Sequence, residues 1–276
     1  MAGRPRLIKM SPAESQTPGQ SLTGSVQALE RGLNLLAIIA EADGLSLTSI
    51  AQRAGIAPST AHRILTTLKA GGFVQCDDAR GGYLIGVQAF RVGSAFLRNR
   101  KLVDVGRRTM RRLMEDSGET ANMAIEVEGA VVFVSQMESH HSIRAFHRPG
   151  ARGPMHASSL GKAMLAALTD DEISQKLHRV GMPRLTVHTI VDPDALLADL
   201  ALVRKRGWAI DNEEQAEGMR CVGSAVYNEH SEVIGAISVS GPTVRVTDER
   251  LGELGPMVRR AAAEITERVG GKIPRN

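Results

Sequence analysis

Leu47-Thr48-Ser49-Ile50-Ala51-Gln52-Arg53-Ala54-Gly55-Ile56-Ala57-Pro58-Ser59-Thr60-Ala61-His62-Arg63-Ile64-Leu65 is the stretch on which the fold turns. Thr48 reads as a helix N-cap, Ile50, Ala51 and Ala54 face inward, and Gly55 stands where a left-handed residue closes a short helix. Ile56 and Ala57 then bridge to Pro58, a residue suited to the first position of a helix. From there Ala61, Ile64, Leu65 and Leu68 repeat at threes and fours. Two helices joined by a short turn containing glycine outline a helix-turn-helix, whose second helix enters the DNA major groove.

The outward side of that second helix carries Ser59, Thr60, His62, Arg63, Thr66 and Thr67. Hydroxyls and helix amides hold phosphates, while Arg63 and His62 have the reach for base edges. A plain solvated face could look the same, so the neighbours decide. Before it, a helix capped by Ser25 offers Val26, Leu29, Leu33 and Leu36 as a core stripe. After it, Phe73–Cys76 and Tyr83–Ile85 flank the turn-rich run 77–82, a hairpin that reads as a wing. Arg80 sits at its tip, suited to a phosphate or the minor groove, and Thr48 joins the candidate DNA contacts.

Charge divides in the same way. Residues 1–101 hold 12 Lys/Arg against 6 Asp/Glu, a net +6, and the remainder holds 22 against 24. Phosphate neutralisation needs basic residues on only one module. The 276 residues allow two domains. The boundaries read as a disordered basic arm at 1–24, a winged helix-turn-helix at 25–86, a linker helix at 87–101, an effector domain at 102–270 and a tail at 271–276. No apolar run nears the roughly 18 residues of a membrane span, and the basic, proline-containing start is unlike a signal peptide. Cys76 and Cys221 are too few for a disulfide framework. The expectation is a cytoplasmic protein with no membrane contact.

From Lys101 onward strands and helices interleave. Met123–Val127 and Val131–Met137 flank Glu128-Gly129-Ala130 as a hairpin, and Ile143–Phe146 can add a strand. Ser158 and Ser159 precede a short helix, Thr169 to Glu172 is a capping box, and Asp192-Pro193 opens a further helix. Strands at Trp208–Asp211, Met219–Tyr227 and Val233–Ser240 lead to a long C-terminal helix from Thr247. The fold class is therefore α+β.

Two polar groupings suggest a ligand. Ser158 and Ser159 stand at a helix N-terminus, where free amides favour an anion. Asp211, Cys221, Ser238 and Ser240 lie on or beside predicted strands, with both serines on one face by period-two alternation. A different reading is an enzyme using Cys221 or Ser159, since Ser159-Leu160-Gly161-Lys162 formally matches a Ser-x-x-Lys motif. Its companion motifs are missing, Lys162 reads equally well as solvent-facing, and no base is marked beside Cys221. No catalytic residue, metal site or cofactor is therefore expected. His140, His141, His147 and His156 lack ligand spacing.

The run from Leu47 to Leu65 resembles the IclR family of bacterial regulators. So do Gly86–Gly93, Met155-His156-Ala157-Ser158-Ser159-Leu160-Gly161-Lys162-Ala163 and Gly207-Trp208-Ala209-Ile210-Asp211-Asn212-Glu213-Glu214, so that the likeness extends over nearly the whole chain. It implies a GAF-like antiparallel sheet with flanking helices, binding a metabolite that controls contact with a double-stranded DNA operator. The second grouping is similar to the glyoxylate-sensing subgroup, regulators of allantoin and β-hydroxyaspartate metabolism. That likeness implies Ser158, Ser159, Leu160, Asp211, Cys221, Ser238 and Ser240 as the holders of glyoxylate, with pyruvate or another short 2-oxo acid as the alternative. A homodimer or homotetramer is expected, because specific operators usually present paired half-sites. The helix around Phe90, Val92, Ala95, Phe96 and Leu97, apolar on more than one side, is the candidate dimer element.

Overall fold

The computed structural model describes residues 26–42, 44–77, 81–98 and 101–274, which divide after residue 100 into two units. The arm at 1–24, the cap Ser25 and the wing-tip Arg80 lie outside the described residues.

In the N-terminal unit α1 (Gln27–Glu41), α2 (Leu47–Ala54) and α3 (Pro58–Ala70) pack with the antiparallel pair β1 (Val74–Asp77) and β2 (Gly82–Ile85), and α4 (Val87–Arg98) follows. Leu35, Ile39, Ile50, Ala51, Ala61, Leu65 and Val74 form the core, each of the large ones worth about 1.5–3 kcal/mol of burial. The cap of α2 is Ser46 rather than Thr48, since its side chain accepts from the Ser49 amide at 3.2 Å. Gly55 closes the helix in the left-handed region (φ 64°), as the turn requires. Leu45 bridges to Tyr83, tying the entry of α2 to the hairpin. The approach is so close that a Cβ on Gly82 would lie 2.4 Å from the Gly44 carbonyl oxygen.

One expectation is overturned in α1. Val26, Leu29 and Leu33 are 65%, 62% and 58% exposed, whereas Leu35, Ile38 and Ile39 are buried. The helix carries apolar residues on two sides, so its periodicity permits either stripe. Packing against Ile50 and Leu65 selects Leu35 and Ile39.

The C-terminal unit begins with α5 (Lys101–Ser117) and the strands β3 (Thr120–Val127), β4 (Ala130–Met137) and β5 (Arg152–Pro154). It continues through α6 (Ser159–Leu165), α7 (Asp170–Val180), α8 (Pro193–Arg206), β6 (Ala209–Asn212), β7 (Met219–Tyr227), β8 (Val233–Pro242) and α9 (Asp248–Arg268). The strands form an antiparallel sheet in the order β5-β4-β3-β8-β7-β6. Met123 points from β3 toward α5 and α9, so that its thioether lies over Gly106 and beside Ile265. Ala124, Phe133, Ala225 and Ala236 point the other way and pack with Leu160, Met164, Leu196 and Leu200 beneath α6 and α8. Residues 143–146 form no strand. Two backbone oxygens there are taken by side chains: Thr120 donates to the Ala145 carbonyl and Arg245 to that of Ile143. Thr169 and Glu172 form the expected capping box of α7, and Asp192 caps α8.

Candidate functional site

The outward face of α3 displays Ser59, His62, Arg63 and Thr66 to solvent, with Thr60 half-buried and Thr48 exposed on α2. The residue preceding Pro58 is Ala57, so no side chain caps α3. Its first-turn amides and the positive end of its dipole therefore stand open to an anion. Thr66 and Thr67 donate their hydroxyl protons to the carbonyls of His62 and Arg63 one turn earlier. In this arrangement they offer acceptor lone pairs outward, leaving the donor work to Arg63, His62 and the amides.

In the C-terminal unit the sheet register builds the other site. Asp211 faces Cys221, Cys221 faces Ser240, and Ser240 faces Thr120, so these side chains share one face. Ser238, two residues from Ser240, joins them between Gly223 and Asn122. The Cys221 thiol stands between Asp211 and Ser240 on that face. Burial, and then the Asp211 charge, push that thiol well above its usual range, so it is held protonated. Asp211 accepts from the amides of Glu214 (2.8 Å) and Gln215 (3.3 Å). Burial, reinforced by the Glu214 carboxylate, pushes Asp211 up to about 7. The Ser238 hydroxyl is buried and has no hydrogen-bond partner among the described residues. A buried hydroxyl left unpaired costs about 1–3 kcal/mol.

Over this face lies the start of α6. A Cβ on Gly223 would come within 2.8 Å of the Ser159 carbonyl and 3.1 Å of the Leu160 amide nitrogen. The absence of a side chain at this position is what lets α6 rest on the sheet. Thus Ser159, Leu160, Asp211, Cys221, Ser238 and Ser240 meet, Leu160 through its backbone only, because its side chain belongs to the apolar core. Ser158 is different. Its hydroxyl donates to the Pro154 carbonyl (2.8 Å) and accepts from the Gly161 amide (3.1 Å), so it serves as the helix cap.

Sequence reasoning missed two residues on this face. Asn122, fully buried, donates to Ser240 Oγ at 3.1 Å and accepts from Gln136 at 2.8 Å. An amide inside an apolar strand such as Thr120–Val127 was the available signal. Lys162 is likewise 1% exposed rather than solvent-facing, with Nζ 2.6 Å from Glu214 and 2.8 Å from Asp199. Among the described residues no group of histidine, cysteine and carboxylate side chains could hold a metal, and no helix is long and apolar enough to cross a membrane.

A winged helix-turn-helix carried in one chain with an antiparallel α+β unit defines a DNA-binding transcription regulator. The family models agree: the IclR helix-turn-helix domain matches residues 28–78, and the bacterial transcriptional regulator IclR C-terminal domain matches 94–267. The chain belongs to the IclR family. It is 45% identical over 248 residues to the HTH-type transcriptional regulator BhcR of Paracoccus denitrificans, covering 90% of this chain and 89% of that one. It is 44% identical to the transcriptional repressor IclR of Escherichia coli (94% and 95% covered) and 38% identical to the Escherichia coli repressor AllR (92% and 96%). Among solved structures, Thermotoga maritima IclR superposes with a TM-score of 0.76 at 27% identity, covering 88% of this chain and 98% of that one.

Proposed function

We propose that operator binding by this regulator is controlled by a small carboxylate held on the α6 face of the sheet, with glyoxylate as the first choice and pyruvate or another short 2-oxo acid as the alternative. The observation that carries this reading is the unpaired Ser238 hydroxyl beside Asp211, Cys221 and Ser240. A buried donor without a partner can be satisfied by a ligand oxygen. The carboxylate would take the hydroxyls of Ser238 and Ser240 and the backbone amides near Ser159 and Leu160. Asp211 would accept from the hydrated aldehyde, and Cys221 would lie against the carbonyl carbon. Ser158 would act by holding the first turn of α6 in place. Likeness to the glyoxylate-sensing subgroup supports this choice of acid. Calorimetry with glyoxylate is the test. Wild type should give saturable heat, and Cys221→Ala/Ser240→Ala should bind at least about tenfold more weakly. Equal affinity in the two proteins would exclude this pocket.

On the DNA side we infer that Ser59, Thr60, His62, Arg63 and Thr66 of α3, with Thr48 of α2, contact the operator, and that Arg80 reaches it from the wing. We also infer a homo-oligomer, dimer or tetramer. Its support is the apolar surface of the N-terminal unit, where Val26 and, on α1, Leu29 and Leu33 are exposed, as are Val87, Phe90 and Val92 on α4. Ala95 is half-buried, and the side chains of Phe96 and Leu97 lie outside the described residues. The expected mass in solution at micromolar concentration is that of two or four chains. Phe90→Glu should lower it, and a monomeric wild type, unaltered by DNA, would overturn the assembly.

A further inference from the structure

We propose that Gln136 and Asn122 are positioning residues that fix the direction of the hydrogen bonds across the α6 face, and thereby make it a site that presents donors to an anion. The proposal rests on the effector reading above.

Its basis is a row of polar side chains across five strands, hydrogen-bonded from β4 to β8 and continued by register to β6. Gln136 on β4 faces Asn122 on β3 in register, and Gln136 Nε2 donates to Asn122 Oδ1 at 2.8 Å. With its oxygen so engaged, Asn122 turns its nitrogen toward β8 and donates to Ser240 Oγ at 3.1 Å. Ser240 faces Cys221 on β7 in register, and Cys221 faces Asp211 on β6. Asp211 is anchored by the amides of Glu214 and Gln215. A carboxylate only accepts, whereas hydroxyl, thiol and amide groups can run either way. Above the Asp211 pKa of about 7, where the carboxylate only accepts, the direction seen in the two amides continues to the far end: every group donates toward Asp211.

The consequence falls on Ser240. Having accepted from Asn122, its oxygen keeps its own proton to direct away from β3, toward the thiol or a bound carboxylate. Were the Asn122 amide reversed, Ser240 would donate to Oδ1 and turn lone pairs into the pocket, which repels an anion. Asn122 is fully buried, so no water competes to reset it. Gln136, half-buried at the rim, is the group that holds the orientation.

Gln136→Glu puts an acceptor at the rim without touching the pocket. Asn122 must then reverse to donate outward. Glyoxylate affinity is expected to fall at least about tenfold in Gln136→Glu, less in Gln136→Leu, and to stay near wild type in Gln136→Lys, which keeps a donor. In the ligand-free, 15N-labelled protein the Asn122 side-chain amide resonances should move in Gln136→Glu, and one of its protons should exchange faster in Ser240→Ala. A through-space effect of the new charge alone would weaken binding and leave those resonances in place, and that result overturns the relay. So does a Gln136→Glu protein that binds glyoxylate within about twofold of wild type. If wild type gives no heat with any short 2-oxo acid, the effector reading falls, and the amide resonances alone decide the relay.

Discussion

Lys162→Ala is expected to destabilise the C-terminal unit by about 3–5 kcal/mol, the usual cost of leaving a buried charge without its partner. For a unit of this size that corresponds to a fall in Tm of roughly 6–20 °C. Lys162 Nζ lies between Glu214 and Asp199, and Glu214 is itself 6% exposed at its side chain. Burial already raises the Glu214 carboxyl above its usual range, and the Lys162 charge opposes that rise. Without the lysine the folded-state pKa climbs further, so folded protein binds a proton that unfolded protein has released. Stability of the variant should then fall as pH rises from the ordinary glutamate range toward neutrality, more steeply than in wild type. Pairing Lys162→Met with Glu214→Gln should restore most of the loss, since neither charge remains. Thermal unfolding of wild type, Lys162→Met, Glu214→Gln and the double variant at pH 5 and pH 8 supplies the double-mutant cycle. A change of less than about 1 kcal/mol in Lys162→Ala would show that the buried contacts contribute nothing.

Operator binding should weaken by about 1–3 kcal/mol, roughly 5- to 150-fold, when Arg63 is replaced by alanine. Arg63 is exposed on α3, and Ala61 and Leu65 hold that helix in the core. Removing a solvent-facing side chain leaves that packing intact, so the Tm should be unchanged. The salt dependence separates two modes of contact. If Arg63 meets a phosphate, the slope of log K against log salt falls by about one; if it reads a base, the slope holds and sequence preference relaxes at one position. An unchanged footprint and affinity would remove Arg63 from the interface.

The helix-turn-helix was legible because its signals are local. Gly55, Pro58 and the stripe from Ala61 to Leu68 each act within a few residues, and the structure uses them as the sequence implies. Where two local readings competed, distant contacts chose. Ser46 took the cap expected of Thr48, and Leu35 and Ile39 displaced Val26, Leu29 and Leu33 from the core. In the C-terminal unit, Ser238 and Ser240 fell on one face by alternation alone. Their meeting with Asp211 and Cys221 needed the strand order, in which β8 lies between β3 and β7. The burial of Lys162 and the partners of Asn122 were not legible for a physical reason. A helix lysine is ordinarily exposed, and asparagine is depleted in strands. Partners 37 and 52 residues from Lys162, and 14 and 118 residues from Asn122, make their burial tolerable.

Gly223 sets a limit on what the pocket can become. At that rung the backbone of α6 already meets the backbone of β7, closer than any side chain allows. A floor made of side chains can be lowered by trimming one of them, but this floor has nothing left to trim. A descendant of this regulator that responded to a bulkier acid would have to lift α6 as a whole. Lys162 sits on that same helix and is tied to Glu214 and Asp199, so the lift would have to break those ties as well. Selection for a new effector would therefore act first on the seating of a helix, and only then on the residues that touch the ligand.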